Sequence, residues 1–102
     1  MIHSTVEHFG KLDVVINNAG VNIRKPPEQL SLDEWRAVLD TNLTSAFLCG
    51  RAAHPHLKRA GGGKIINIAS VQTAMARPGI APYTASKGAV ANLTKGMATD
   101  WA

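Results

Sequence analysis

Leu12-Asp13-Val14-Val15-Ile16-Asn17-Asn18-Ala19-Gly20 carries the clearest fold signal in this chain of 102 residues. Its centre, Asp-Val-Val-Ile, is short, continuous and β-branched, the pattern of a strand buried on both faces. Asn18-Ala19-Gly20 turns out of it, which sets the strand at Leu12 to Asn17. A second run of the same kind, Lys64 to Ala69, carries Ile65, Ile66 and Ile68 and ends at Ser70. Between the two strands, Ser31 with Glu34 three residues later forms a capping box that opens a long helix. The apolar stripe of that helix is Trp35, Val38, Leu39, Ala46, Cys49, Ala53 and Leu57. Pro55 is expected to kink or weaken its end.

Outward from this unit, residues 2 to 9 read as the last turns of a helix stopped by Gly10. Residues 21 to 30, with Pro26 and Pro27, form a loop, as do residues 71 to 82 with Pro78, Gly79 and Pro82. A final helix runs from about Tyr83 to the end, with Ala85, Ala89, Leu93, Gly96 and Met97 on one face. The order helix, strand, helix, strand, helix implies an α/β fold with parallel strands joined by a right-handed crossover. Ligands of such sheets bind beyond the carboxyl ends of the strands. That rule directs Asn17-Asn18-Ala19-Gly20, Ser70, Tyr83 and Lys87 toward one crevice.

Composition removes several classes. With 45% hydrophobic residues the chain is globular rather than disordered. No apolar run approaches the roughly 20 residues of a bilayer span, and no signal-peptide pattern opens the chain. The formal charge is +4, but the basic residues are scattered and the five aromatics form no stacking ladder, so no nucleic-acid partner is expected. Cys49 is the only cysteine, which suits a reducing, cytoplasmic setting. His54-Pro55-His56 lacks metal-ligand spacing and reads as solvated surface; no metal is expected. Gly61-Gly62-Gly63 follows a helix and precedes a strand, the reverse of a phosphate-binding turn, and is a plain connection.

Chemistry concentrates in Tyr83-Thr84-Ala85-Ser86-Lys87. On a helix, four-residue spacing puts the phenol and the ammonium on one face, one turn apart. An ammonium that close favours the phenolate, and a tyrosine so tuned exchanges a proton with an alcohol or carbonyl near neutral pH. Asn42 falls on the apolar stripe, where its amide must find partners: either it braces a neighbouring loop or it serves a site.

Four elements taken in order then resemble the short-chain dehydrogenase/reductase family: Asn17-Asn18-Ala19-Gly20, Asn42 within Thr-Asn-Leu, Ser70 after Ile-Asn-Ile-Ala, and Tyr83 through Lys87. The tyrosine follows the serine by thirteen positions, and the resemblance covers all 102 residues. It implies a Rossmann-type doubly wound sheet, NAD or NADP as cofactor, and hydride transfer to or from a carbonyl or secondary alcohol. It makes Tyr83 the general acid/base and Ser70 the residue that fixes the reacting oxygen. Lys87 tunes the tyrosine and binds the cofactor ribose, and Asn42 holds a water that passes protons to Lys87. Asn17, Ala19 and Gly20 lie against the cofactor, together with Tyr83 and Lys87.

Within the family, Asn22 to Pro26 and Arg77-Pro78-Gly79 are similar to gluconate 5-dehydrogenase-like members, which implies a sugar acid or polyol substrate. Arg24 and Arg77 lie on loops leaving the strands, where a guanidinium can hold a carboxylate through two parallel hydrogen bonds.

The family's N-terminal strand, glycine-rich turn and helix, and its later strands, have no counterpart here. Residues 1–102 therefore read as a single partial dinucleotide-binding and catalytic domain, the central slice of a longer one. One sheet face, with side chains such as Val15 or Ile66, is left without cover, so the isolated chain is expected to be marginally folded or self-associating. A homo-oligomer is expected of the full-length protein. The alternatives are a non-catalytic fragment or interaction module, and a 3-oxoacyl thioester reductase carrying the same four motifs.

Overall fold

A computed structural model describes residues 1–70, 75 and 77–101, so the loop read over 71–82 lies partly outside the described residues. Helix α1 spans Ile2–Phe9 and stops at Gly10, whose φ of 82° is the left-handed conformation that favours glycine. Strands β1 (Val14–Asn17) and β2 (Lys64–Asn67) pair in parallel, from Val14 opposite Lys64 to Asn17 opposite Asn67. Both are two residues shorter than the sequence suggests. The flanking hydrogen bonds Lys64 N–H to Asp13 O and Ile68 N–H to Asn17 O, each 3.0 Å, close the ladder beyond its four rungs.

The capping box is present. Ser31 Oγ accepts from the Glu34 N–H and Glu34 Oε1 accepts from the Ser31 N–H, both at 3.0 Å. The long helix then divides into α2 (Leu32–Leu39), a π-helical turn (Asp40–Thr44) and α3 (Ser45–Arg59). Its buried line runs Val38, Asn42, Ala46, Gly50, Ala53, Leu57. Three successive steps of four overshoot the 3.6-residue period by roughly one residue. The wider π turn absorbs that excess and keeps all four positions on one face. One turn before Val38 the line falls on Glu34, which leaves Trp35 to the side and 38% exposed rather than on the inward stripe. Pro55 does not end α3, which continues four residues past it. The histidines depart from the surface reading. His56 shares the inner face with Ala53 and Leu57, is buried, and stands edge-on to His3, while His54 stacks on Trp101 at 4.3 Å.

The core joins Ile2, Leu12, Val15, Ala53 and Leu57, with Val6, Ala52 and Ile65 packed against it. Only one face of the sheet is covered, so β1 alternates instead of being buried on both sides. Val15 is 6% exposed, but Val14 is 49%, Ile16 60% and Ile66 44% exposed. Val15 thus sits on the covered face, and the bare one carries Val14, Ile16 and Ile66.

Helix α4 spans Ala81–Trp101, beginning two residues before Tyr83 because Pro82 fits a first turn, where no N–H is needed. It buries Pro82, Ser86, Lys87 and Val90. Of the face expected to pack, Ala85 and Gly96 are exposed.

Two consequences concern the start of α2. Ser31→Ala is expected to lower unfolding free energy by about 1 kcal/mol in urea titrations at pH 7. The Lys25 ammonium, 2.7 Å from Glu34, and then the Ser31 N–H hold the Glu34 carboxyl below its ordinary 4.5. A depressed folded value stabilises above the unfolded one and is lost as pH falls through the folded one. Wild type is therefore expected to lose stability relative to Glu34→Gln as pH drops below about 4.5, in paired titrations.

Candidate active site

The turn that leaves β1 is held from below by the π turn. Asn42 Oδ1 accepts from the Val21 N–H at 2.7 Å, and its Nδ2 donates to the Val21 carbonyl at 2.9 Å. The same Nδ2 donates to Ser86 Oγ on α4 at 3.0 Å, and Ser86 passes its own proton to the Tyr83 carbonyl at 2.8 Å. Asn42 is thus the loop brace that its place on an apolar stripe requires, and it also ties the loop to the helix of Tyr83. Ser86 is fully buried and was not singled out by the motif reading. Its signal was a hydroxyl one helical turn after Tyr83, among small residues.

Lys87 follows Tyr83 by one turn, as the spacing requires. Its side chain is buried, its Nζ donates to the Ile68 carbonyl at 2.9 Å, and it stands 5.9 Å from the Tyr83 ring centroid. A Cβ built on Gly20 would lie 3.5 Å from both Lys87 Nζ and Asn42 Oδ1. Gly20, Asn42, Tyr83 and Lys87 therefore meet at the carboxyl ends of the two strands. Ser70 is half-buried, two residues beyond the carbonyl that anchors Lys87. Ala19 and Gly20 are exposed, so their backbone offers a flat ligand an open surface beside the ammonium. Those residues fit a nicotinamide cofactor. Asn17 is engaged differently: its Nδ2 donates to Asn67 Oδ1 at 2.8 Å, across the last rung of the sheet.

Tyr83 and the buried Lys87, one turn apart, lie beyond the ends of the parallel strands, where Rossmann-type α/β folds bind their ligands. The chain belongs to the short chain dehydrogenase family, whose model matches residues 1–102. It is 55% identical over 93 residues to gluconate 5-dehydrogenase of Gluconobacter oxydans (strain 621H), covering 91% of this chain and 36% of that protein. To 5-keto-D-gluconate 5-reductase of Escherichia coli (strain K12) it is 42% identical over 105 residues, covering 99% of this chain and 41% of that protein. Among solved structures, gluconate 5-dehydrogenase from Burkholderia cenocepacia J2315 in complex with NADP and tartrate superposes with a TM-score of 0.93. That match is at 46% identity over 98% of this chain and 39% of the other. The chain spans between 36% and 41% of the length of these relatives.

Proposed function

We propose that in the whole protein these residues form the catalytic centre of an NAD(P)-dependent oxidoreductase acting on a sugar acid. The observation that carries this reading is the buried Lys87 ammonium, seated beside Gly20 and over the Tyr83 ring. The Tyr83 hydroxyl gives a proton to the substrate oxygen in reduction and takes it back in oxidation. Lys87 stabilises the phenolate that remains. Ser70 donates a hydrogen bond to the same oxygen and fixes it. Asn42 holds the turn at Val21, and the second lone pair of its Oδ1 is what remains to bind a proton-carrying water. NAD or NADP, held against Ala19, Gly20, Tyr83 and Lys87, supplies or accepts the hydride. Asn17 stands at the edge of that surface, its Nδ2 donating to Asn67 Oδ1.

The relatives' names, and the NADP and tartrate in one of them, support a nicotinamide and a hydroxy acid as the ligands. The loops support a carboxylate. The Lys25 N–H donates to the Gly79 carbonyl at 2.9 Å, which joins the loop after β1 to the turn before α4. Lys25 is turned to Glu34, while neither Arg24 nor Arg77 has an acidic partner among the described residues. A free thiol at Cys49 suits a cytoplasmic enzyme, and exposed Ala85 and Gly96 on α4 suit contact between copies in a homo-oligomer.

The assay follows nicotinamide absorbance in the whole protein with 5-keto-D-gluconate and with an uncharged ketose. Turnover of the acid is expected, and none with either compound would end the reading. Arg24→Ala and Arg77→Ala are each expected to raise KM for the acid by about 10- to 100-fold and to spare the ketose, the worth of a charge-assisted hydrogen bond. Equal losses for both substrates would remove the carboxylate assignment.

A further inference from the structure

A chain of short polar side chains outside the expected site fastens α4 to the sheet. Asn17 and Asn67 are partners at the last rung of the ladder, where Asn17 Nδ2 donates to Asn67 Oδ1 at 2.8 Å. Asn67 Nδ2 donates in turn to Thr94 Oγ1 at 2.9 Å, and the Thr94 hydroxyl donates to the Val90 carbonyl at 2.8 Å. Both ends of the Asn67 amide are therefore engaged, and turning it over would set two amide NH2 groups against each other at Asn17 and draw the Thr94 hydroxyl away from Val90.

Thr94 lies seven residues after Lys87, two turns along the same helix face. Lys87 reaches the carbonyl of Ile68, the residue that follows Asn67. The helix is thus attached to the last residue of β2 and to the residue that follows it. The two attachments differ in kind. A lysine side chain has four flexible carbons and tolerates slide or roll of the helix beneath it. Asn67 and Thr94 are short, so their contact survives in only one helix position. Thr94 is exposed, and a hydrogen bond there adds little stability by itself. Its consequence is geometric.

We infer that Asn67 and Thr94 are positioning residues: their hydrogen bond, oriented by Asn17, sets the register of α4 on the sheet and thereby the place of Tyr83, which the helix carries, relative to the Lys87 ammonium anchored on the Ile68 carbonyl. The inference rests on the Tyr83–Lys87 reading above. It also accounts for an asparagine inside each strand end, where an apolar residue would pack as well.

The test measures kcat and KM in the alcohol-oxidation direction, using the whole protein. Thr94→Val keeps the side-chain shape and removes the hydroxyl. It is expected to lower kcat about tenfold with KM within about twofold, since small misplacement near a reacting group costs rate rather than affinity. Asn67→Ala, which removes the contact from the strand side, is expected to lower kcat by a similar factor, and Thr94→Ser to restore the wild-type value. A Thr94→Val kcat within about twofold of wild type, even with a lower melting temperature, would overturn the inference, as would failure of serine to restore it. Tyr83→Phe separates the two levels. If it is inactive while Thr94→Val keeps the wild-type kcat, only the positioning role fails. If it retains wild-type turnover, both readings fail.

Discussion

Tyr83→Phe is expected to lower kcat by about a thousandfold in the whole protein and to leave its melting temperature unchanged, within the range that a positioned acid/base group contributes. The structural side of this expectation rests on what the hydroxyl does not do. Tyr83 is half-buried, its backbone carbonyl is held by Ser86, and its ring lies under the Lys87 ammonium. Among the described residues no hydrogen bond to its hydroxyl is present, so phenylalanine keeps every fold contact and removes one proton donor. The kinetic side follows from when the proton moves. In the proposed mechanism Tyr83 acts on the substrate oxygen as its charge develops, so kcat and kcat/KM should fall together, with nucleotide affinity within about twofold. A variant within tenfold of wild type would show that some other group, or water, supplies the proton. A large fall in nucleotide affinity would assign Tyr83 to binding instead.

The spacing that made Tyr83 and Lys87 legible is purely local. Four residues on a helix put two side chains on one face whatever surrounds them, and α4 realises that geometry. The capping box and the Gly10 stop are local in the same sense, and both stand where the sequence indicates. The strands were legible as strands, but not their alternation. Whether Ile16 is covered depends on what lies across the sheet, which a run of β-branched residues does not encode. The π turn was hidden for a related reason. Stepping by fours through Val38, Asn42 and Ala46 looks like ordinary helical drift until the buried line is known to stay straight. Ser86, Asn67 and Thr94 each matter through a partner at least 27 residues away, and no periodicity points to such a partner. Asn42 was the exception. An amide on an apolar stripe announces a need for partners without naming them.

Naming them makes Asn42 the position with the largest expected cost to stability. Asn42→Leu, close to isosteric, is expected to destabilise the protein by about 3 kcal/mol, the sum of three hydrogen bonds near 1 kcal/mol each. The three are unequal. Val21 is exposed, so water takes over its N–H and carbonyl at modest cost. Ser86 is fully buried and keeps the Tyr83 carbonyl as acceptor, but it loses the amide that donated to it, and no water replaces that donor in a sealed position. Asn42→Asp provides the control. It retains an acceptor for the Val21 N–H and offers one to the Ser86 hydroxyl, which must then leave the Tyr83 carbonyl, and it sets an oxygen against the Val21 carbonyl. Aspartate should therefore recover no more than about half of the loss. Urea titration measures the free energies, and hydrogen exchange at the Val21 amide reports the clamp directly, with protection lost in leucine and kept in aspartate. A leucine variant that costs less than about 1 kcal/mol would mean that the turn beside Gly20 is held by its own backbone. The π turn would then serve only to keep one stripe of the helix facing inward.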